Sequence, residues 1–243
     1  MHCKEVLKEL IDRRSVRIFL DRPIEDVKRA AILEAAVNAP TAGNQQLYTI
    51  LDIREEAIRK ALVETCDHQP FIAQARLILI FCADCKKWYD GFADCGCQPR
   101  APGVGDLLLA VSDANIAAQN AVTAAWSLGI GSCYIGDVME NCEAQRQLLG
   151  LPKYVFPAAM VVFGYPAEGQ LTRRKPQRAP MDQIVAIDHY PAHTADDRKA
   201  MFYRAPERTY EDYMKAFCAR KYNSDFSREM TRSVGIYLKD FEE

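Results

Sequence analysis

The chain has 243 residues, 49% of them hydrophobic and 26% charged. That is an ordinary globular composition, long enough to bury a sizeable core. With 31 Lys and Arg against 33 Asp and Glu the net charge is -2, which excludes the basic footprint of a general nucleic-acid binder.

The stretch "CKEVLKELIDRR" places Val6, Leu7, Leu10 and Ile11 on one helical face. "RRSVRIF" follows and sets Arg13, Arg14, Ser15 and Arg17 just ahead of a turn at residues 21–23. "DRPIEDVKRAAILEAAVNAP" predicts a helix with acidic residues in its first turn, stopped by Pro40. "LYTILDI", residues 47–53, predicts a strand, and "EEAIRKALVETC" a helix. "RLILIFC", residues 76–82, predicts a strand buried on both faces. Residues 83–105 hold Gly91, Gly96, Pro99, Pro102, Gly103 and Gly105 and read as an irregular excursion.

"DLLLAVSDANIAAQNAVTAAWSLG" predicts the longest helix, capped by Gly129 and apolar nearly all round, as for a central or subunit-interface helix. Asp113, Asn115, Gln119 and Asn120 make the stretch around it a poor membrane span. "GSCYIG" reads as a short strand or turn, "ENCEAQRQLLG" as a helix, "FPAAMVVFGY" as a buried strand, and "QIVAIDHY" at 183–190 as a further strand. After Pro191 the chain becomes polar and helical. Strands separated by helices predict an α/β (α+β) fold with a mixed central sheet covered by helices. Residues 1–193 are expected to form the main body, and 194–243 a C-terminal helical extension of the same domain.

No N-terminal apolar run with a small-residue cleavage site occurs, so no secretory signal is expected. Nine cysteines in that setting predict reduced thiols in a cytoplasm. Cys82 and Cys85 make a CxxC, and Cys95 and Cys97 a CxC. Four thiolates at such spacing could hold zinc or an iron–sulfur cluster, although Cys82 ends an apolar strand, where a buried free thiol is common. The expectation is no metal. His189 and His193 are separated by Pro191, so no helix presents both, and they are read as loop residues.

Four stretches could carry chemistry. In "RRSVRIF" the arginines either complement the end of a helix or, where the chain becomes extended, put Arg13, Ser15 and Arg17 on one side, able to fork onto an anion. "NAPTAGNQQ", residues 38–46, is either a plain polar loop or a small-residue loop whose backbone closely approaches a ligand. "LGIGSCYIGD", residues 128–137, has the glycines of a dinucleotide fingerprint but follows a helix rather than a strand, so that match fails. A glycine-lined backbone against a flat ligand fits it better. "RRKPQRAP", residues 173–180, is either solvated surface or a second anion site.

Taken in this order, "RRSVR", "APTAGNQQ", "GIGSCYIG", "FPAAMVVFGYP" and "KPQRAP" resemble the nitroreductase family of flavoproteins over roughly residues 5–190. The resemblance implies that the anion is the phosphate of FMN, and that the protein is a homodimer with two FMN sites built at the subunit interface. It assigns Arg13, Arg14 and Ser15 to phosphate and ribityl contacts, and Arg17 to the pyrimidine edge of the flavin. It assigns Pro40, Thr41, Ala42, Gly43, Asn44 and Gln46 to a loop supplied across the interface. Tyr134, Ile135 and Gly136 would lie along the isoalloxazine, with a backbone amide facing N5. Lys175 and Arg178, with Arg174 beside them, would form a second phosphate clamp. Thr41 and Ala42 stand where the family often has paired serines, and Gly136-Asp137 where many members have Glu-Gly.

The implied activity is an FMN-dependent NAD(P)H oxidoreductase, with NADH or NADPH as donor and a nitroaromatic, quinone or similar small molecule as acceptor, working by ping-pong two-electron transfer. Arg17 and the Gly136 amide would be the groups acting on the flavin, and neither nucleic acid nor membrane is an expected partner. The tail, with Arg220, Lys221, Arg228 and Arg232, is expected to be a solvated helix pair, or else a lid that brings Tyr222, Phe226 or Arg232 over the flavin. Other readings are a specialised reductive enzyme of the iodotyrosine-deiodinase type and a non-catalytic flavin-binding protein.

Overall fold

The computed structural model describes residues 2–242. Helices α1 (His2–Asp12) and α2 (Asp26–Val37) precede strand β1 (Tyr48–Asp52). Helices α3 (Glu56–Thr65) and α4 (Phe71–Gln74) lead to β2 (Leu77–Asp84), α5 (Lys86–Asp94) and the long α6 (Val104–Ser127). Strand β3 (Gly131–Ile135), helix α7 (Cys142–Leu149) and strand β4 (Val155–Gly164) follow, then α8 (Ala195–Phe202), α9 (Tyr210–Lys221) and α10 (Asp225–Leu238).

The sheet runs β1-β2-β4-β3, and every neighbouring pair is antiparallel. The expected mixture of directions is confined to one isolated parallel bridge, Ser15 to Ser132. Every residue of β2 and β4 is buried, as their unbroken apolar runs dictate. Helix α6 packs on the sheet and on α2 through Ala110, Ala114, Ala117, Ala118, Ala121 and Ala125. Small side chains at this helical spacing let the backbone come close to the strands. The opposite face keeps Leu108, Leu109 and Ile116 exposed, so α6 is only half covered within one chain. Gly129, with φ +76°, ends it as expected.

The segment at 13–20 lies along the outer edge of β3. The Val16 amide donates to the Ser132 carbonyl at 2.9 Å, and the Leu20 amide to the Tyr165 carbonyl at 2.8 Å. Two cross-strand partners, Gly131 on β3 and Gly164 on β4, make room for it. A Cβ on Gly131 would come within 2.6 Å of Val16 Cγ2, and one on Gly164 within 2.7 Å of Phe19 Cδ1. Gly131 therefore serves the close approach of the arginine segment. Gly131→Ala is expected to lower stability by about 2 kcal/mol through overpacking and to loosen the arginines. Urea unfolding checks this, and an unaltered midpoint would refute it.

Two sequence expectations fail. Residues 83–105 contain α5, because Trp88, Tyr89 and Phe92 recur at helical spacing and outweigh Gly91. Residues 183–190 form no strand; a 3₁₀ turn at Met181–Gln183 and irregular chain occupy the region. Ile184, Val185, Ile187 and Tyr190 stand exposed there. Strand-favouring side chains without a partner edge do not make a strand.

The chain divides into two compact units, Met1–Thr172 with Glu229–Glu243, and Arg173–Arg228. Ser233, Tyr237 and Phe241, near the C-terminal end, are buried with the first unit. Within the second unit Thr194 and Asp197 form a capping box at the start of α8. The Arg204 guanidinium donates to the carbonyls of Ala200 at 2.9 Å, Tyr203 at 2.7 Å and Arg178 at 3.4 Å. It thereby closes the end of α8 and ties the "KPQR" segment to it.

Candidate functional site

Arg13, Ser15 and Arg17 project from the edge segment on the opposite side from the buried Val16. All three act on Cys133 of β3. Burial pushes the Cys133 thiol up, while the charge of Arg17, a hydrogen bond from Ser15 and the charge of Arg13 pull it back. Burial also pushes the neighbouring Tyr134 hydroxyl up to about 12, opposed by Arg13. The arginine segment and residues 133–136 therefore form one electropositive edge. At its centre Arg13 Nη1 is buried and has no hydrogen-bond partner. A buried guanidinium donor without an acceptor is costly, and an anionic ligand would relieve that cost. Arg14 is differently engaged: its Nε donates to the Asp12 carbonyl at 3.2 Å, and its Nη1 to the Leu171 carbonyl. Gly136 closes β3 at an exposed position where an added Cβ would meet nothing within 4 Å.

The loop at 40–46 is a second group. Gly43 at φ +56°, Asn44 at +57° and Gln46 at +49° all adopt left-handed backbone, which non-glycine residues rarely do. The clamp that enforces this is Asp113 of α6, only 3% exposed. It accepts from the Thr41 hydroxyl, from the Ala42 amide at 3.0 Å and from the Leu47 amide at 3.2 Å. Thr41 Oγ1 in turn accepts from the Gln46 amide at 2.7 Å. Thr41 therefore replaces serine with its hydroxyl already engaged inside the loop. Asp113 was visible in the sequence only as an acid inside an apolar helix, and such an acid needs donors when buried. Gln119, further along α6, receives the Tyr134 hydroxyl at 3.3 Å. Six residues separate Asp113 from Gln119, so the two project about 120° apart around the helix. Within one chain, the loop and the arginine edge thus sit on different faces of α6.

Glu140 follows the 3₁₀ turn at Gly136–Met139 and is 5% exposed, with Oε1 unpartnered. Burial, reinforced by the Asp137, Asp67 and Glu229 carboxylates, raises it to about 7. Arg232, a candidate lid residue, pairs with Glu143 at 2.8 Å and Glu229 at 2.8 Å. It is thereby committed to holding α10 against α7. Lys175 and Arg178 lie in the second unit. Cys82 and Cys85 are buried, whereas Cys95 and Cys97 are exposed. Among the described residues no three His, Cys, Asp or Glu side chains converge as metal ligands would. Nor is any described helix long and apolar enough to cross a membrane.

The family model described as the Nitroreductase family matches residues 10–165. The chain belongs to the nitroreductase family. It is 32% identical to the FMN reductase [NAD(P)H] of Bacillus subtilis over 237 residues, 97% of this chain and 91% of that protein. It is 37% identical to the oxygen-insensitive NADPH nitroreductase of Salmonella typhimurium over 182 residues, 74% of this chain and 72% of that protein. Its fold matches the solved structure of the NfrA1 nitroreductase of Bacillus subtilis with a TM-score of 0.78 at 25% identity, covering 93% of this chain and 98% of the other. The family match spans the arginine edge, the 40–46 loop and residues 134–136, and ends before Lys175 and Arg178.

Proposed function

We propose that this protein is an FMN-dependent NAD(P)H oxidoreductase that reduces nitroaromatics, quinones or similar acceptors in a ping-pong cycle. The observation that carries the reading is the unpartnered, buried Arg13 Nη1 beside residues 133–136, a donor awaiting an anion where the family motif calls for phosphate. The residues present fit the cofactor. FMN supplies two-electron chemistry between the nicotinamide and the acceptor. Arg13 and Ser15, with Arg14 braced beside them, hold phosphate and ribityl oxygens. Arg17 places a fixed positive charge toward the flavin's pyrimidine edge, where it favours negative charge. Tyr134, Ile135 and Gly136 offer backbone to the ring, and open space at Gly136 admits it. The part given to Lys175 and Arg178 in holding phosphate rests on the "KPQR" motif alone.

The protein works as a homodimer with the flavin at the subunit interface. Two features support this: the loop held by Asp113 and the arginine edge occupy different faces of α6, and Val6, Leu7, Leu10, Ile11, Leu108 and Leu109 are exposed. A second copy would cover those side chains and let residues 40–46 of one chain serve the arginine edge of the other. Free thiols fit a reducing compartment, the cytoplasm. The named relatives are reductases, which favours this reading over a deiodinase or a passive flavin carrier.

A visible spectrum of the purified protein, followed by anaerobic addition of NADH or NADPH, tests the proposal. A yellow protein that bleaches supports it, and a colourless protein that cannot be reconstituted with FMN ends it. Arg17→Ala should weaken FMN binding roughly tenfold to a hundredfold, the loss of one charge-assisted contact, and slow flavin reduction. Arg198→Ala should change neither, because that exposed guanidinium donates to the His193 carbonyl. Equal behaviour of the two variants in fluorescence titration and stopped-flow would refute the assignment.

A further inference from the structure

The two cysteine motifs are reversed in character. CxxC is the spacing usually read as redox-active, yet Cys82 and Cys85 are buried, and burial pushes both thiols up to about 12. Few thiolates form at neutral pH, and little of either side chain meets solvent. The CxC pair is the accessible one: Cys95 and Cys97 are both exposed.

Their backbone setting is fixed by the end of α5. The Gly96 amide donates to the Ala93 carbonyl at 2.9 Å and the Cys97 amide to the Phe92 carbonyl at 2.9 Å. These are the two bonds of a Schellman cap, with Cys95 at the helix end and Gly96 in the left-handed position, φ +73°. A residue in the helical basin of either hand leaves its neighbours' Cα atoms about 5.4 Å apart, from a helix radius of about 2.3 Å and a rise of about 1.5 Å per residue. Disulfides span Cα separations of roughly 4.4–6.8 Å. An added Cβ at Gly96 would meet nothing within 4 Å, so the turn has open space beside it. The cap that ends α5 thus sets two exposed cysteines at a Cα separation within the range that disulfides span.

We propose that Cys95 and Cys97 are a reversible dithiol–disulfide site that reacts with low-molecular-weight disulfides. One thiolate attacks a sulfur of the small disulfide, forming a mixed disulfide and releasing one thiol. The other thiolate attacks the protein sulfur of that mixed disulfide and releases the second thiol. Overall, two protein thiols and one small disulfide become one Cys95–Cys97 bond and two small thiols, so atoms and electrons balance. The second step is intramolecular, and its effective concentration exceeds that of any added reagent. The mixed disulfide therefore does not accumulate in the native chain.

The test uses the full-length protein with its bound flavin. It is reduced with dithiothreitol, freed of that reagent and exposed to oxidised glutathione. Lys87 and Arg100 bound a single tryptic peptide, residues 88–100, that holds both cysteines and no other. The expected result is that this peptide loses two hydrogen masses, keeps no glutathione, and recovers its mass with dithiothreitol. Cys95→Ser and Cys97→Ser should each instead retain one glutathionyl group on the same peptide. The proposal is overturned if the native peptide keeps glutathione on both cysteines, if it does not react, or if either cysteine links elsewhere. Flavin content and turnover play no part in this readout, so failure here leaves the oxidoreductase reading untouched, and the reverse also holds.

Discussion

Replacing Asp113 by alanine is expected to lower the unfolding free energy by roughly 3 kcal/mol, for the loss of three buried hydrogen bonds tempered by loop relaxation, and to impair FMN retention. The physical reason lies in what the side chain holds together. Thr41, Ala42 and Leu47 each direct a donor at one carboxylate that water scarcely reaches. Without it, those donors are either left unsatisfied or freed only if residues 41–47 rearrange. That rearrangement would release the left-handed backbone at Gly43, Asn44 and Gln46, which is the presented shape of the loop. Asp113→Asn should fall between the native protein and the alanine variant, because its single amide oxygen can accept only some of the three bonds. Urea unfolding gives the stability, and filtration followed by flavin fluorescence gives the retained FMN. Unchanged stability and flavin content in Asp113→Ala would refute the clamp.

How far the sequence foretells the site depends on how local each cause is. The extended run of Arg13, Ser15 and Arg17 was legible because alternation and an apolar Val16 are properties of neighbouring residues. The buried strands β2 and β4 were legible for the same reason, as unbroken apolar runs. Helix α5 was obscured because Gly and Pro around it count strongly in any local reading, whereas the aromatic face of Trp88, Tyr89 and Phe92 gains its value from packing. The 183–190 segment failed the other way: its side chains favour a strand, but strand formation needs a partner edge. The clamp at Asp113 could not be read at all beyond its oddity in an apolar helix, since its partners lie 66 to 72 residues away. The family resemblance supplied the site's order along the chain. It did not supply the glycine pair Gly131 and Gly164, which lets the arginine edge seat on the sheet.

Stability should fall as pH rises from about 4.5 to about 7, and Glu140 should be the main cause. In the folded chain its carboxyl is raised from its ordinary value of 4.5 to about 7, first by burial and then by Asp137, Asp67 and Glu229. Glu229 stays ionised, because its bonds to Arg232 and Ser233 lower it to about 2. Between the two values of Glu140 the folded state binds a proton that the unfolded chain has released. Unfolding free energy therefore decreases with pH through that window and levels off above it. A rise from 4.5 to about 7 corresponds to roughly 3 kcal/mol of stability, at about 1.36 kcal/mol per pH unit. Glu140→Gln, which imitates the neutral acid, should match the native protein below pH 4.5 and exceed its stability by up to that amount at pH 8. The effect bears on the site because the Glu140 amide donates to the Asp137 carbonyl at 3.0 Å, closing the turn that begins at Gly136. Charging Glu140 sets it against Asp137, so FMN should also dissociate faster at pH 8 than at pH 6, and Glu140→Gln should flatten that difference. Urea titrations and flavin-release rates across pH 4–9 decide the matter, and parallel pH profiles for the two proteins would show that the proton resides elsewhere.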